Sequence, residues 1–126
     1  MRRDILYVVF PMLYVIFSLG DNIFTYYYVR VLGFLVEVNP FRAYQVYTQP
    51  LWTWFIRDFL MLGVAIALTF AYKKLMERDP KTLKLANKAW IILAVTAIAR
   101  FIPIIHNVLS LYGIDSPLDD VYRIFW

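Results

Sequence analysis

Ionisable side chains interrupt the apolar segments of this sequence at a few positions. They are Asp21, Arg57, Asp58, Arg100 and His106, and two amides, Asn22 and Asn107, lie among them. Charged groups inside a membrane segment are costly, so each one needs a partner or a function. A carboxylate and an arginine can form an ion pair between helices. Carboxylates together with a histidine are also the usual components of proton and cation paths.

Helical spacing groups these residues into two polar stripes. The first stripe consists of Ser18, Asp21 or Asn22, and Thr25, and the second of Thr96, Arg100, Pro103, Asn107 and Ser110. Residues three, four and seven positions apart share a helix face. We therefore expect the two stripes to face each other and Asp21 to pair with an arginine, most simply Arg100, with Arg57 as the other candidate.

The segment LVEVNP, residues 35–40, adds a third polar element. Asn39 before Pro40 has the pattern of a helix start, since Asn caps and Pro suits the first helical position. Glu37 gains nothing from that role directly, and we expect it to turn inward towards Arg57 or Asn107. The alternatives are a pair with Arg42 and a solvated loop carboxylate.

The elements that position these residues are long apolar helices. The 126-residue chain is 62% hydrophobic and 19% aromatic, which indicates a single integral membrane domain over residues 1–126. Three segments, about 5–29, 50–72 and 89–112, are long enough to cross a bilayer. The predicted fold class is all-α, a membrane bundle of three transmembrane helices. Cysteine is absent, so disulfides are excluded.

Short helices are predicted beside the spans. Residues 40–48 and 117–125 fit interfacial helices, the second one after a Ser116–Asp119 capping box. Asp79 and Pro80 predict the start of a helix that leads into the third span. Gly63, Ala67 and Ala71 form a ridge of small residues on which another helix, of the same chain or of another copy, could pack closely. A homo-oligomer or a larger membrane complex is therefore expected.

Basic residues are distributed unevenly between the two sides of the membrane. Eight lie on one side (Arg2, Arg3, Lys73, Lys74, Arg78, Lys81, Lys84 and Lys88) and three on the other (Arg30, Arg42 and Arg123). The positive-inside rule then predicts a cell-membrane protein with a cytoplasmic N-terminus and an outside C-terminus. The polar residues would converge on the outer half. Because topology explains the net charge of +4, no nucleic-acid partner is expected, and membrane lipid is the expected environment. Arg2 and Arg3 before an apolar run also fit a signal peptide, but the later spans favour a membrane helix.

The order of several of these residues resembles a family of small archaeal and bacterial polytopic membrane proteins, known only as a domain of unknown function. The resemblance rests on Asp21-x-x-x-Thr25, Gly33, Glu37-x-Asn39-Pro40, a basic residue in the second span and Asn107 in the last. It covers roughly residues 15–110. Arg57 stands where that family usually has lysine. The resemblance implies three or four spans and no particular activity.

Three functions are compatible with these patterns. The polar cluster could hold a compact helical bundle together, it could form an outward-facing site for an ion, proton or small ligand, or it could belong to a lipid-modifying enzyme that uses Ser110 and His106. No nucleophile elbow, phosphate loop or metal-ligand spacing accompanies the last of these, so no catalytic residue, metal or cofactor is predicted and an enzyme is disfavoured. The candidate cluster comprises Asp21, Thr25, Glu37, Asn39, Arg57, Asp58, Arg100, His106 and Asn107.

Overall fold

The computed structural model describes residues 2–33, 35–37, 39–114 and 116–125, and these are helical with short links and no strand. The helices are α1 (Arg2–Thr25, continued by a π-helical turn, Tyr26–Val31), α2 (Pro40–Thr48), α3 (Leu51–Glu77), α4 (Leu83–Ala86), α5 (Trp90–Leu111) and α6 (Pro117–Arg123). The predicted all-α class is confirmed.

Three helical segments are long and apolar enough to cross a membrane: Asp4–Val31, Leu51–Glu77 and Leu83–Leu111. They contain the cores of the three predicted spans, so the chain is a multi-pass membrane protein by length and composition. The second helix continues past its predicted end. Lys73 lies there with its ammonium 5.2 Å from the centre of the Tyr7 ring, and a lysine of this kind can extend along the helix towards the interface.

Two of the three predicted helix starts are formed as expected. The Asn39 side chain accepts a hydrogen bond from the Phe41 N–H at 3.0 Å, and α2 begins at Pro40. Ser116 and Asp119 form a capping box, in which the Ser116 N–H donates to Asp119 Oδ2 at 2.9 Å. Side chains that satisfy the free N–H groups of a first turn define where a helix begins.

The predicted start at Asp79 and Pro80 is wrong. Asp79 Oδ1 accepts a hydrogen bond from the Lys81 N–H at 2.9 Å, which stabilises a turn instead of a helix. The Thr82 hydroxyl donates to the Met76 carbonyl at 2.7 Å, at the end of α3. Because this bond ties the link to the preceding helix, α4 begins only at Leu83.

Aromatic contacts show how the long helices pack. Phe10 stacks on Trp90 with ring centroids 5.8 Å apart, and Phe17 meets Phe101 at 4.9 Å, so α1 lies along α5. A small buried cluster of Val29, Val46 and Trp54 joins the end of α1 to α2 and α3. The loop and α2 thus pack onto the end of the bundle that carries the polar residues, which we call the α2 end.

The ridge of small residues on α3 packs against nothing in the described parts of this chain. Gly63, Ala67 and Ala71 are all exposed, and a Cβ at Gly63 would meet no atom within 4 Å. Of the two partners expected for the ridge, a helix of the same chain is therefore excluded among the described residues. A second copy or another protein stays a prediction.

Candidate functional site

Asp21 lies at the centre of a buried ion-pair network. Its Oδ2 atom lies 2.6 Å from Arg100 Nη1 and 3.0 Å from Arg42 Nη1, and its Oδ1 accepts a hydrogen bond from the Asn107 amide. The Asp21 side chain is only 2% exposed. The predicted Asp21–Arg100 pair is confirmed, as is the expectation that the stripes of the first and third spans face each other.

Asp58 supplies the second carboxylate of the network. Its Oδ2 accepts a hydrogen bond from Arg100 Nη2 at 2.8 Å, from Asn22 Nδ2 at 2.7 Å and from the Ser18 hydroxyl. The Tyr14 hydroxyl donates to the Asp58 carbonyl at 2.9 Å. Arg100 therefore connects α1 to α3 through two aspartates, and the buried carboxylate has enough donors to offset its desolvation.

Asn22 joins the two guanidinium groups. Its Oδ1 accepts hydrogen bonds from Arg42 Nη2 at 3.0 Å and from Arg100 Nη2 at 3.1 Å. The guanidinium of Arg42 also lies 5.6 Å from the centre of the Trp54 ring, within cation–π range. Two arginines and two aspartates balance in charge, so the network itself is formally neutral.

Arg42 is a site residue that our sequence reasoning missed. The sequence places it among the basic residues of the outer side, with Glu37 as an alternative partner, yet its side chain is only 13% exposed and contacts Asp21. A signal was present, because Arg42 is the only charged residue in the helix PFRAYQVYT. An isolated charge in a short amphipathic helix that packs on a membrane bundle indicates a buried partner.

Glu37 faces the cavity described below, but its predicted partners are wrong. Its Oε1 accepts a hydrogen bond from the Asn39 N–H at 3.0 Å, and its own N–H donates to the Tyr47 hydroxyl at 3.0 Å. Among the described residues it forms no ion pair with Arg57 or Arg42 and no hydrogen bond with Asn107. The turn places the Glu37 carboxylate against the backbone N–H of Asn39, two residues later in the chain. This local hydrogen bond takes the place of the predicted contact with Arg57 or Asn107.

Burial sets the protonation behaviour of this region. Desolvation raises the pKa of Glu37, against the opposing effects of Arg42 and the Asn39 N–H. Burial, and then the charge of Glu37, raise the pKa of Tyr122. A carboxyl group in such surroundings holds its proton to a higher pH than a solvated one.

Arg57 and His106 lie outside the network. Arg57 Nη1 donates to Gln45 Oε1 at 3.1 Å, and no carboxylate of the described residues lies within 4 Å of the Arg57 guanidinium. His106 Nδ1 shares a hydrogen bond with the Ser116 hydroxyl and lies 4.0 Å from Asp119 Oδ1. His106 therefore fastens α6 to α5, and the contact with Ser110 that the enzyme hypothesis needed is not formed.

A cavity of about 470 Å³ lies between α3 and α5 at the α2 end. Its polar part is lined by Asp21, Glu37, Asn39, Arg42, Arg57, Asp58, Arg100, His106 and Asn107. Its apolar part includes Met61, Val64, Leu68 and Val95. Leu118 and Tyr122 of α6 line it as well. Thr25 is the one predicted site residue that does not line the cavity; it is buried in the bundle. No group of three or more metal-ligating side chains occurs among the described residues.

Comparison of the chain with family models, curated proteins and solved structures yields no match. The resemblance to the family with the Asp21-x-x-x-Thr25 and Glu37-x-Asn39-Pro40 pattern therefore stays a prediction, and the site has to be interpreted from its own geometry.

Proposed function

We propose that this protein binds an amphipathic small molecule inside the membrane. The observation that carries the proposal is the gradient of polarity in the cavity between α3 and α5. Charged and amide side chains line the α2 end, and aliphatic side chains line the continuation towards the middle of both helices. A molecule with a polar head and a hydrocarbon tail matches this gradient.

The size and openness of the cavity support the same class of ligand. Its volume of about 470 Å³ lies within the range of about 300–1,000 Å³ that is typical of small-molecule sites. Met61, Val64, Leu68 and Val95 are all exposed as well as lining. A hydrocarbon tail could therefore enter sideways from the lipid, between the two helices.

The ion-pair network favours a structural contribution beside the binding function. Asp21 and Asp58 already receive donors from arginine, amide and hydroxyl groups, so their carboxylates have little capacity left for a ligand. The network holds α1, α2, α3 and α5 together and forms the end wall of the cavity. Lipid modification is a weaker hypothesis, because the Ser116 hydroxyl that meets His106 is buried and takes part in a helix cap.

We also propose an orientation of the protein in the membrane. The eight basic residues at the end opposite α2 favour a cytoplasmic location for that end, by the positive-inside rule. The polar part of the cavity would then lie in the outer half of the membrane, and the ligand would come from the outer leaflet.

Native mass spectrometry of the protein in an uncharged, short-chain detergent tests the binding function. Dodecyl phosphate and dodecanol are titrated, and the fraction of protein that retains one molecule is measured. Ala99→Phe places a ring in the cavity, whereas Ala67→Phe places the same ring on an exposed face of α3 away from it. We expect Ala99→Phe to abolish retention and Ala67→Phe to preserve it. Equal retention by both variants would contradict the proposal.

A further inference from the structure

The charges that line the cavity do not all neutralise one another. Asp21 and Asp58 are paired with Arg42 and Arg100 inside the network. These four side chains offer a ligand no net charge. Apart from His106, Arg57 and Glu37 are the acidic and basic side chains that remain in the polar part of the cavity. We call this polar part the head-binding region, and these two side chains set its charge.

Arg57 is a cavity-lining cation without a counter-ion among the described residues. Its Nη1 donates a hydrogen bond to the neutral side chain of Gln45. A guanidinium carries five N–H donors, so most of its donor capacity is unused there. An arginine that has donors to spare in a partly desolvated site binds phosphate or carboxylate oxygens well, often with two parallel hydrogen bonds.

Glu37 does not supply the missing counter-charge. It is held by the Asn39 N–H and forms no ion pair with Arg57. Its burial favours the protonated carboxyl group. Because Glu37 is bound to the Asn39 N–H and lies outside ion-pair range of Arg57, the guanidinium presents to the cavity a positive charge that is unpaired among the described residues, which repels a cationic head and attracts an anionic one.

The apolar part of the cavity follows directly from Arg57 along one helix face. Met61, Val64 and Leu68 lie four, seven and eleven residues after Arg57, so all of them share its side of α3. At a rise of about 1.5 Å per residue, Leu68 lies roughly 16 Å along the helix axis from Arg57. This is a suitable distance for an alkyl chain whose head is held at the α2 end.

Building on the proposed function, we infer that the ligand is an anionic amphiphile, a lipid-derived molecule with a phosphate or carboxylate head bound by Arg57 and an alkyl tail along Met61, Val64 and Leu68. A free inorganic anion would leave the apolar face uncovered, and an uncharged amphiphile would leave the Arg57 donors unused. The two parts of the site thus select for a head and a tail that belong to one molecule.

The test compares three probes on the wild-type protein in uncharged detergent: dodecyl phosphate, dodecanol and inorganic phosphate. We expect dodecyl phosphate to bind at least about tenfold more tightly than dodecanol, because a charged hydrogen bond is gained, and inorganic phosphate not to be retained. Retention of inorganic phosphate as strong as that of dodecyl phosphate would overturn the inference.

Variants connect the preference to Arg57. Arg57→Gln should reduce the preference for dodecyl phosphate over dodecanol to near unity, whereas Arg30→Gln, which removes an exposed cation that does not line the cavity, should keep it. Gln45→Glu keeps Arg57 and gives it a counter-ion, so it should also reduce the preference, even if Arg57→Gln fails to fold.

The outcomes separate this inference from the proposed function. If the wild type binds both amphiphiles equally and Ala99→Phe abolishes both, the cavity is a binding site but its head group is not selected by charge. If Ala99→Phe affects neither amphiphile, the binding function itself is wrong. A preference that survives both Arg57→Gln and Gln45→Glu would assign anion recognition to another residue and overturn the role of Arg57.

Discussion

Asp21 forms more ion pairs with arginine than any other carboxylate in the described chain. Two guanidinium groups and one amide donate to it, from α2 and from two positions in α5. A carboxylate at this depth is tolerated because its donors replace water. Its removal would leave Arg42 without a carboxylate partner among the described residues and Arg100 with only that of Asp58.

We predict that Asp21→Asn destabilises the fold by about 3–5 kcal/mol, the usual cost of breaking a buried pair from one side. The free energy of unfolding in mixed micelles measures the effect. Asp120→Asn is the control, because Asp120 is 82% exposed and its pair with Arg123 spans 3.8 Å. An exposed pair of this kind contributes little. Equal stability of the two variants would contradict the structural importance of Asp21.

Glu37 makes the stability of the protein depend on pH. Its pKa in the folded protein is raised above the ordinary value of 4.5, with burial as the main cause. Arg42 and Arg100 oppose the shift, and Asp21 adds to it. Between the unfolded and the folded pKa the folded state holds a proton that the unfolded state has lost. The contribution of Glu37 is therefore fully present below pH 4.5 and is lost as the pH rises through the folded pKa.

We accordingly expect Glu37→Gln to remove one component of the decline in melting temperature as the pH rises above 4.5. Glutamine keeps an acceptor oxygen for the Asn39 N–H and cannot ionise. Glu77→Gln, at the exposed end of α3, serves as the matched control and should follow the wild-type pH curve. Parallel curves for wild type and Glu37→Gln would show that burial does not control this carboxyl group.

At the scale of elements, α2 is a short helix with several structural roles. Its N-cap, Asn39, also binds the Glu37 carboxylate through its backbone N–H. Arg42 takes part in the ion-pair network, and the Gln45 side chain accepts a hydrogen bond from Arg57. Val46 is fully buried against Trp54. These contacts come from consecutive turns of one helix. The position of α2 therefore controls both the network and the head-binding end of the cavity.

The link between α1 and α2 depends on Gly33. The π-helical turn ends at Val31, two residues before Gly33. The Leu35 N–H donates to the Tyr28 carbonyl at 3.0 Å, and Gly33 adopts a φ of +64°. Side chains disfavour this left-handed region by roughly 1–2 kcal/mol. The glycine lets the chain reverse from the end of α1 towards α2.

Two glycines without close neighbours allow a matched test of this requirement. Gly33→Ala should destabilise the protein by about 1–2 kcal/mol through backbone strain alone, since a Cβ there meets nothing within 4 Å. Gly63→Ala adds the same methyl group in open space within a helix and should be neutral or slightly stabilising. Thermal unfolding in micelles measures both. A neutral Gly33→Ala would mean that the link tolerates another conformation.

At the scale of the whole molecule, the bundle is closed on one side and open on another. The aromatic contacts hold α1 against α5, while a cavity lies between α3 and α5. The small-residue ridge on α3 faces outward, where a second copy could pack against it. The molecule thus combines a polar end held by ion pairs with a cavity that opens sideways between α3 and α5.

The whole-molecule prediction concerns topology. The sequence contains no cysteine, so single cysteines report without background. Asp79→Cys lies in the exposed link between α3 and α4, and Asp120→Cys lies on the exposed face of α6. A membrane-impermeant maleimide added to intact cells should label position 120 and leave position 79 unlabelled until the cells are opened. Labelling of position 79 alone in intact cells would reverse the proposed orientation.

Much of the architecture follows from local rules that the sequence carries. Apolar length predicts the three candidate spans, Asn39–Pro40 and Ser116–Pro117 predict the starts of α2 and α6, and helical spacing predicts that Asp21 meets Arg100. Each of these depends on a periodicity or a cap within a few residues, or on the high cost of a lone charge in an apolar segment. The sequence by itself therefore determined the helices, the short caps and one long-range pair.

Only the tertiary structure decided which donors share each carboxylate. Arg42 could have faced water, Glu37 could have reached Arg57, and Asp58 could have paired within α3, since each choice satisfies the same local chemistry. The packing of α2 onto the bundle places Arg42 on Asp21, and the turn before α2 binds Glu37 to its own backbone. The cavity has the same origin, because the space between α3 and α5 depends on how whole helices pack, which no local pattern of residue types specifies.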